Sequence, residues 1–276
     1  MPERAARTRG AVAVLIPVYE DDGRLAETLR SLEDQGVPTV AVIVDDGSTV
    51  PVRVVGPEGV ETVIIRHDEN RGIERALNTG LDYIRRRGIA YIARLDAGDR
   101  CVPRRLLHQR EFLDANPDVH LVGSAVEWRD DDGRVRFTRR FPTTHEPIVH
   151  ALRHTTVLIH PAVMFRASVI DAVGDYSTDY PAAEDYDLFV RIASRHHVAN
   201  LAEILVIARF DPNGLSMRRR RQQLRSTLRI QLRCFDPAVG ASYFGVLKTL
   251  GRFVIPYSWI VAFKAVASGR GQPLPV

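Results

Sequence analysis

Cysteine is almost missing from this sequence of 276 residues: only Cys101 and Cys234 occur, far apart. They offer neither a disulfide framework nor a zinc spacing, which fits a reducing compartment, and no local signature marks either thiol as a nucleophile. Glycine-rich phosphate loops are missing as well; neither GxGxxG nor GxxxxGK[ST] is found. A bound nucleotide would therefore need something other than a glycine cradle to neutralise its phosphates. His145, His150, His154 and His160 lack the HExxH spacing of a helical zinc site and read as surface or packing residues. His160-Pro161 leads into the apolar run Ala162 to Phe165 and is expected near any site there. The most apolar stretch, Phe253 to Ala267, is broken by Pro256 and Lys264 and is too short for a membrane span. The start, MPERAARTRG, is basic but runs into a strand-like segment, so no signal peptide is expected.

What is present suits a soluble globular protein: 45% hydrophobic and 26% charged residues, on a chain long enough for one large core or two modest ones. The net charge of +4 is unevenly spread. Acidic residues cluster in the first two thirds and arginines crowd the region after Met217. That asymmetry points to an anionic partner near the C-terminus, either phosphate or an anionic membrane.

Ala11 to Val18 (AVAVLIPV) and Val40 to Val44 (VAVIV) are unbroken apolar runs, the pattern of strands covered on both faces. Thr62 to Arg66 and Ile89 to Ala93 complete four strands. Helices are expected over Asp21 to Asp34, with Leu25, Leu29 and Leu32 inward, and over Ile73 to Arg87. The alternation predicts stacked βαβ units and a parallel sheet. After Pro103 a helix should run to about Ala115, ended by Asn116-Pro117. Leu121 to Trp128 reads as a strand, and Asp130-Asp131-Asp132-Gly133 as a solvated hairpin turn into Val135-Arg136-Phe137. Pro147 to Arg153 suggests a short helix, and an amphipathic helix is expected from Asp187 onward.

Each early strand ends in polar residues: Pro17-Val18-Tyr19-Glu20, Asp45-Asp46-Gly47-Ser48, His67-Asp68 and Asp96 to Asp99. Carboxyl ends of parallel strands share one edge, so these loops should meet and bind a ligand there. Asp96 and Asp99, separated only by Ala97-Gly98, can converge on a hard cation such as Mg²⁺ or Mn²⁺; an Asp-rich turn is the plain alternative. Glu184 and Asp185, at or just before a helix start, favour the helix dipole. A carboxylate there, aimed into a cleft, would also serve as a general base.

Taken together, VLIPVYEDDGRLAETLRSLEDQ, VIVDDGS, ENRGIERALNTGL, RLDAGDRCVPRRL and EDYDLFVRI resemble, in order, the inverting family 2 glycosyltransferases, over roughly residues 11 to 221. The resemblance implies the GT-A fold: a Rossmann-like, mainly parallel α/β sheet flanked by helices, followed by a helical tail. It implies a glycosyltransferase domain over 1–217, with a donor half at about 11–105 and an acceptor half at about 106–217, and a tail over 218–276. Pro17, Tyr19 and Glu20 would line the nucleoside pocket, Asp46 with Asp45 would meet the base, and Arg71 and Arg75 would border base and ribose. Asp99 matches the metal-binding aspartate of a DxD-type motif, with Asp96 in support, and Asp185 of the Glu184-Asp185 pair matches the catalytic base.

A divalent cation, Mn²⁺ or Mg²⁺, is thus the expected cofactor. The expected partners are a nucleotide-sugar, UDP- or dTDP-linked, and a saccharide or lipid-linked acceptor in polysaccharide or glycolipid assembly. A homo-oligomer and an anionic membrane surface are further candidates, and nucleic acid is not. The implied place is the cytoplasm, peripheral to the inner face of the cell membrane. Three departures stand out. Asp96-Ala97-Gly98-Asp99 replaces a D-x-D-D pattern, and the segment Ile207 to Ser216 has no metal-directed His, so either Asp211 substitutes for it or the third protein ligand is missing. QxxRW of processive synthases is absent, which favours single transfer. Rival readings are a nucleotidyltransferase and a non-catalytic nucleotide-sugar-binding module.

From Arg218 the tail forms an amphipathic basic pattern. Arg225, Arg229 and Arg233 fall on one face and Leu224, Leu228, Leu232 and Phe235 on the other. It predicts a packed helix with a solvated face, contact of its first arginines with a diphosphate, or attraction to anionic lipid.

Overall fold

Two runs almost free of polar side chains form the centre of the molecule, Val12–Val18 (β1) and Thr39–Asp45 (β2), buried along their length except at Pro17. The computed structural model describes residues 10–211 and 219–254. Its other strands are Val60–Arg66 (β3), Tyr91–Arg94 (β4), Arg100–Cys101 (β5), Val119–Arg129 (β6), Val135–Arg139 (β7), Met164–Arg166 (β8) and His197–Arg209 (β9). The helices are Leu25–Arg30 (α1), Ile73–Arg86 (α2), Arg105–Ala115 (α3), His145–Leu152 (α4), Ser168–Val173 (α5), Glu184–Ala193 (α6), Arg220–Arg233 (α7) and Gly240–Val254 (α8). The strands form one sheet in the order β3-β2-β1-β4-β8-β6-β9-β5, with β7 beside β6.

The first four strands are parallel, as their sequence pattern requires. The second half is not: β8 runs antiparallel to β4 and β6, β7 to β6 and β5 to β9, while β6 and β9 are parallel. The sheet is therefore mixed. The expected four strand–helix alternations are also one too many, because β2 reaches β3 through residues 46–59 without a helix. The helix expected over 21–34 is confined to Leu25–Arg30, and α6 begins at Glu184 rather than Asp187. The long strand β9 was not foreseen; it takes in Ile207, Ala208 and Arg209 of the segment read as a loop. The remainder of that segment after Asp211 lies outside the described residues.

Alternate residues of β1 face different layers, following the period of two. Ala13 and Leu15 join a core with Leu77, Leu81 and Ile84 of α2 and Leu188, Phe189 and Ile192 of α6. Val12, Val14 and Ile16 pack with Leu25 and Leu29 of α1 and Leu106 and Leu113 of α3. Gly80 lets α2 approach closely, since a Cβ there would lie 2.2 Å from Leu15 Cδ1. The tail joins the first of these cores through Ile230. The tail's apolar face differs from expectation: Leu224 and Ile230 are buried, whereas Leu232 is exposed. Arg229 and Arg233 are not simply solvated, since both lie over the ring of Tyr180, at 5.1 and 5.0 Å from its centre.

Candidate active site

The ends of β1 and β2 are tied together by polar contacts. Glu20, at φ 53°, accepts from the backbone N–H and hydroxyl of Thr49 at 2.9 and 2.8 Å, and its own N–H donates to Ser48 Oγ at 2.9 Å. Those bonds hold the Glu20 carboxyl below its ordinary pKa. Asp45 is fully buried; burial pushes its pKa up, but hydrogen bonds from Ser48, Val52 and Arg66 outweigh it and the net shift is downward. Asp46 is spent internally: Oδ1 meets the Arg71 N–H at 3.0 Å and His67 Nδ1 at 2.7 Å, and Oδ2 accepts from the Gly72 N–H at 2.8 Å. This clamp brings the segment 67–72 against the β2 end. Gly47 is required beneath it, at φ +72°, because a Cβ would stand 2.2 Å from the Glu69 carbonyl carbon. An open polar pocket results, lined by Arg66, His67, Asp68, Glu69 and Arg71. Tyr19, Arg71 and Arg75 are exposed, and Pro17 is half-buried.

The second half of the site lies at the end of β4. Helix α1 secures this loop: Thr28 Oγ1 accepts from Gly98 N–H at 2.8 Å and Ser31 Oγ from Cys101 N–H at 3.0 Å. Asp99 is buried, with Oδ1 accepting from the Arg209 N–H of β9 at 2.9 Å. Burial, then the charge of Asp96, pushes its pKa up to about 8. Glu184 and Asp185 open α6. Glu184 is pushed to about 8 by burial and by Asp185. Asp185 is pushed to about 6 by burial and, to a lesser degree, by Asp96. Asp96 thus acts on both Asp99 and Asp185, so the β4 loop and the α6 start share one electrostatic neighbourhood. Glu184 Oε2 is buried without a hydrogen-bond partner, a costly state for a polar atom unless a ligand completes it.

Sequence reasoning overlooked the cation that makes this cluster tolerable. Arg94, fully buried, donates through Nε to His160 Nε2 at 3.0 Å and through its other nitrogens to Leu15 O, Leu95 O and Asp96. Its charge lowers the pKa of Asp99, Glu184 and Asp185 alike. Because Arg94 can only donate, His160 Nε2 must present its lone pair, which places the imidazole proton on Nδ1. Burial and then Arg94 hold His160 well below its ordinary pKa, and Tyr176 OH completes the chain at 2.8 Å from Nε2. The clue was there: an arginine closing the otherwise apolar run Tyr91-Ile92-Ala93.

Two carboxylates on one loop, one of them buried and short of positive charge, form a donor set suited to Mg²⁺ or Mn²⁺. Such ions commonly take one or two carboxylates and complete their shell with phosphates and water. Among the described residues, no three His, Cys, Asp or Glu side chains form a ready-made metal centre. Asp211, read as a third ligand, lies 3.8 Å from Arg209 in an ion pair.

The family profile described as glycosyl transferase family 2 matches residues 13–174, more than half of the chain. The chain belongs to this family. The amylovoran biosynthesis glycosyltransferase AmsE of Erwinia amylovora is 29% identical over 226 residues, 79% of this chain and 83% of the relative. A UDP-Gal:alpha-D-GlcNAc-diphosphoundecaprenol beta-1,3-galactosyltransferase of Escherichia coli is 28% identical over 207 residues, 72% of this chain and 74% of the relative. Among solved structures, S. aureus TarS 1-349 in complex with UDP superposes with a TM-score of 0.63 at 16% identity, covering 90% of this chain and 73% of that one. The mannosyltransferase PcManGT of Pyrobaculum calidifontis, in complex with GDP-Man and Mn²⁺, gives 0.60 at 19% identity, covering 99% and 83%. At these identities the structures show the shared GT-A fold.

The acidic hairpin turn joins antiparallel β6 and β7 and is exposed, as expected, and it makes one further contact. Asp131 is exposed, but it pairs with Arg209 through Nε at 2.7 Å and Nη2 at 3.2 Å. Arg24 stands 3.7 Å away. The turn after β6 is thereby tied to the residue whose N–H holds Asp99. The last arginine of α7, Arg233, pairs with buried Asp187 at 2.7 Å. This favours the packed-helix reading of the tail at that end; of its first arginines, Arg218 lies outside the described residues, Arg219 and Arg221 are exposed, and Arg220 donates to Arg252 O at 2.9 Å.

Proposed function

We propose that this glycosyltransferase moves a sugar, with inversion, from a UDP- or dTDP-linked donor to a hydroxyl of a saccharide or lipid-linked acceptor. The setting would be polysaccharide or glycolipid assembly at the cytoplasmic face of the membrane. One observation carries the reading: Asp96 and Asp99 at the β4 end and Glu184 and Asp185 at the α6 start share one electrostatic neighbourhood, in which Asp99 and Glu184 are buried and Arg94 supplies the compensating charge. The names of the two curated relatives support the acceptor class, and the UDP and GDP-Man complexes of the structural neighbours support the donor class. The glycosyltransferase domain is taken as 1–217 and the tail as 218–276.

In this proposal Asp99 and Asp96 hold a divalent cation, which supplies charge to stabilise the departing diphosphate. Asp185, ionised above about pH 6, takes the proton of the attacking hydroxyl. Its place in the first turn of a helix makes that geometry rigid. Glu184 stays protonated near neutrality and offers its unpartnered oxygen to the substrates. Pro17, Tyr19, Glu20, Asp45, Arg71 and Arg75 border the nucleoside. Asp46 acts through the segment it clamps, because both of its oxygens are already bonded.

A thermal-shift screen of nucleotide-sugars with and without Mn²⁺ tests the reading, since a ligand raises the melting temperature according to its affinity. One donor should raise it in Mn²⁺ and much less in EDTA. A flat response to every nucleotide-sugar would refute it.

A further inference from the structure

Helix α8 is built the wrong way round for a helix in water. Its inward face is small or polar: Ser242, Gly245 and Thr249 are buried. Thr249 donates to Gln231 Oε1 at 2.8 Å, and a Cβ on Gly245 would lie 2.3 Å from Arg153 O. Its outward face is apolar. Tyr243, Phe244, Leu247, Leu250 and Val254 are all exposed, Leu247 at 67% and Val254 at 83%. Spacings of three and four residues place them on one continuous stripe. A surface helix normally shows the reverse distribution, and an apolar stripe of this kind marks an interaction surface.

Charge indicates what covers it. Residues 219–254 contain eight Lys or Arg and a single acidic residue, Asp236. Lys248 flanks the stripe, its ammonium 5.7 Å from the Phe244 ring centre. At the far end Arg252 stands beside Arg220, which donates to its carbonyl at 2.9 Å. Arg252 also adjoins Arg139 of β7, and burial together with these like charges lowers the pKa of both Arg139 and Arg252. Among the described residues neither has a carboxylate partner. A second copy docked here would bring like charges together. So would the following segment 255–276, which carries Lys264 and Arg270 and no acid. An anionic surface neutralises them instead.

We infer that the outward face of α8 docks on an anionic phospholipid bilayer, its apolar stripe entering the interface and Arg139, Arg252 and Lys248 meeting lipid phosphates. This deepens the proposed function and takes its purpose from that reading. The placement suits a lipid-linked acceptor. Arg209, whose N–H holds Asp99, is paired with Arg129, and on the same strand Val126 is paired with Arg139. Those three residues of strand put the cationic end of α8 about 10 Å along the sheet from the level of the site.

Vesicle co-sedimentation of the full chain tests the inference, comparing neutral phosphatidylcholine with phosphatidylcholine containing phosphatidylglycerol. The chain should bind only the anionic vesicles and be released by salt. Leu247→Glu with Leu250→Glu should lower partitioning at least about tenfold, and Arg139→Gln or Arg252→Gln about fivefold each. Equal melting temperatures confirm that these variants, at exposed leucines and half-buried arginines, fold. The inference is overturned if the wild type ignores anionic vesicles, or if the double leucine variant binds like wild type, which would move the contact to 255–276. Sedimentation as a dimer that the leucine variant dissociates, with vesicle binding unchanged, would assign the face to a second copy. The donor-induced thermal shift, read on the same samples, separates the two proposals. A retained shift without vesicle binding removes the docking surface alone.

Discussion

Asp185→Asn should abolish transfer and yet make the protein more stable at neutral pH. In the folded protein Asp185 keeps its proton up to about pH 6, against an ordinary value of 3.8, because burial and neighbouring Asp96 disfavour its charge. The unfolded chain ionises it at the ordinary value. The native state therefore binds more protons between those two values, and the wild type loses stability as pH rises through that window. A shift of about two units corresponds to about 3 kcal/mol at most. Since the side chain is only half-buried, solvent screening reduces this to about 1–3 kcal/mol. Asparagine keeps the shape and carries no charge, so the gain should be complete above about pH 6 and vanish below about pH 4. Urea melts of both proteins in EDTA, at pH 4 and pH 7.5, measure it free of metal. Transfer should fall about 10²–10⁴-fold, the usual contribution of a general base, with donor binding retained. A variant less stable than wild type at pH 7.5, or one whose gain persists at pH 4, would refute the electrostatic account.

Two further outcomes are expected. Because Asp99 holds its proton up to about pH 8, metal binding must displace that proton, and apparent Mn²⁺ affinity should rise about tenfold or less per unit from pH 6 to 8 and then level off. Asp99→Asn should weaken Mn²⁺ binding and flatten this dependence in calorimetric titrations. Arg94→Met should destabilise the fold by about 3–5 kcal/mol, the cost of removing one partner from a buried charged network. Leu95 O would lose its arginine donor, Leu15 O would keep only the Leu95 N–H and His160 Nε2 only the Tyr176 hydroxyl, and Asp99, Glu184 and Asp185 would lose the compensating charge; a loss under about 1 kcal/mol in denaturant melts would show that the network relaxes.

The donor-side scaffold was legible because its signals are local. Unbroken apolar runs dictated β1, β2 and β4, and the 3.6 period of Ala76, Leu77, Leu81 and Ile84 dictated α2. The antiparallel half was not legible, since Met164–Arg166 is too short to declare a direction and β9 mixes polar and apolar residues. Partner choice in a sheet depends on the neighbours a strand finds, not on its own period.

The acidic residues of the candidate site were proposed from the sequence, Asp96 and Asp99 by their spacing and Glu184 and Asp185 by their place at a helix start. Their chemistry could not be read from it. Only tertiary structure places Arg94 beneath them, turns His160 Nε2 toward it as an acceptor, and leaves Glu184 Oε2 unpartnered. The tail divides in the same way. Its basic and apolar content can be counted along the chain, but whether an apolar helix face turns inward or outward depends on what lies opposite. For α8 the backbone of Arg153 and the side chain of Gln231 occupy the inner side, so small and polar residues face in and the apolar stripe faces out. Local sequence therefore determined the strands, helices and candidate carboxylates. Burial and charge proximity, which exist only after distant segments meet, decided their protonation and the surface through which the protein meets its surroundings.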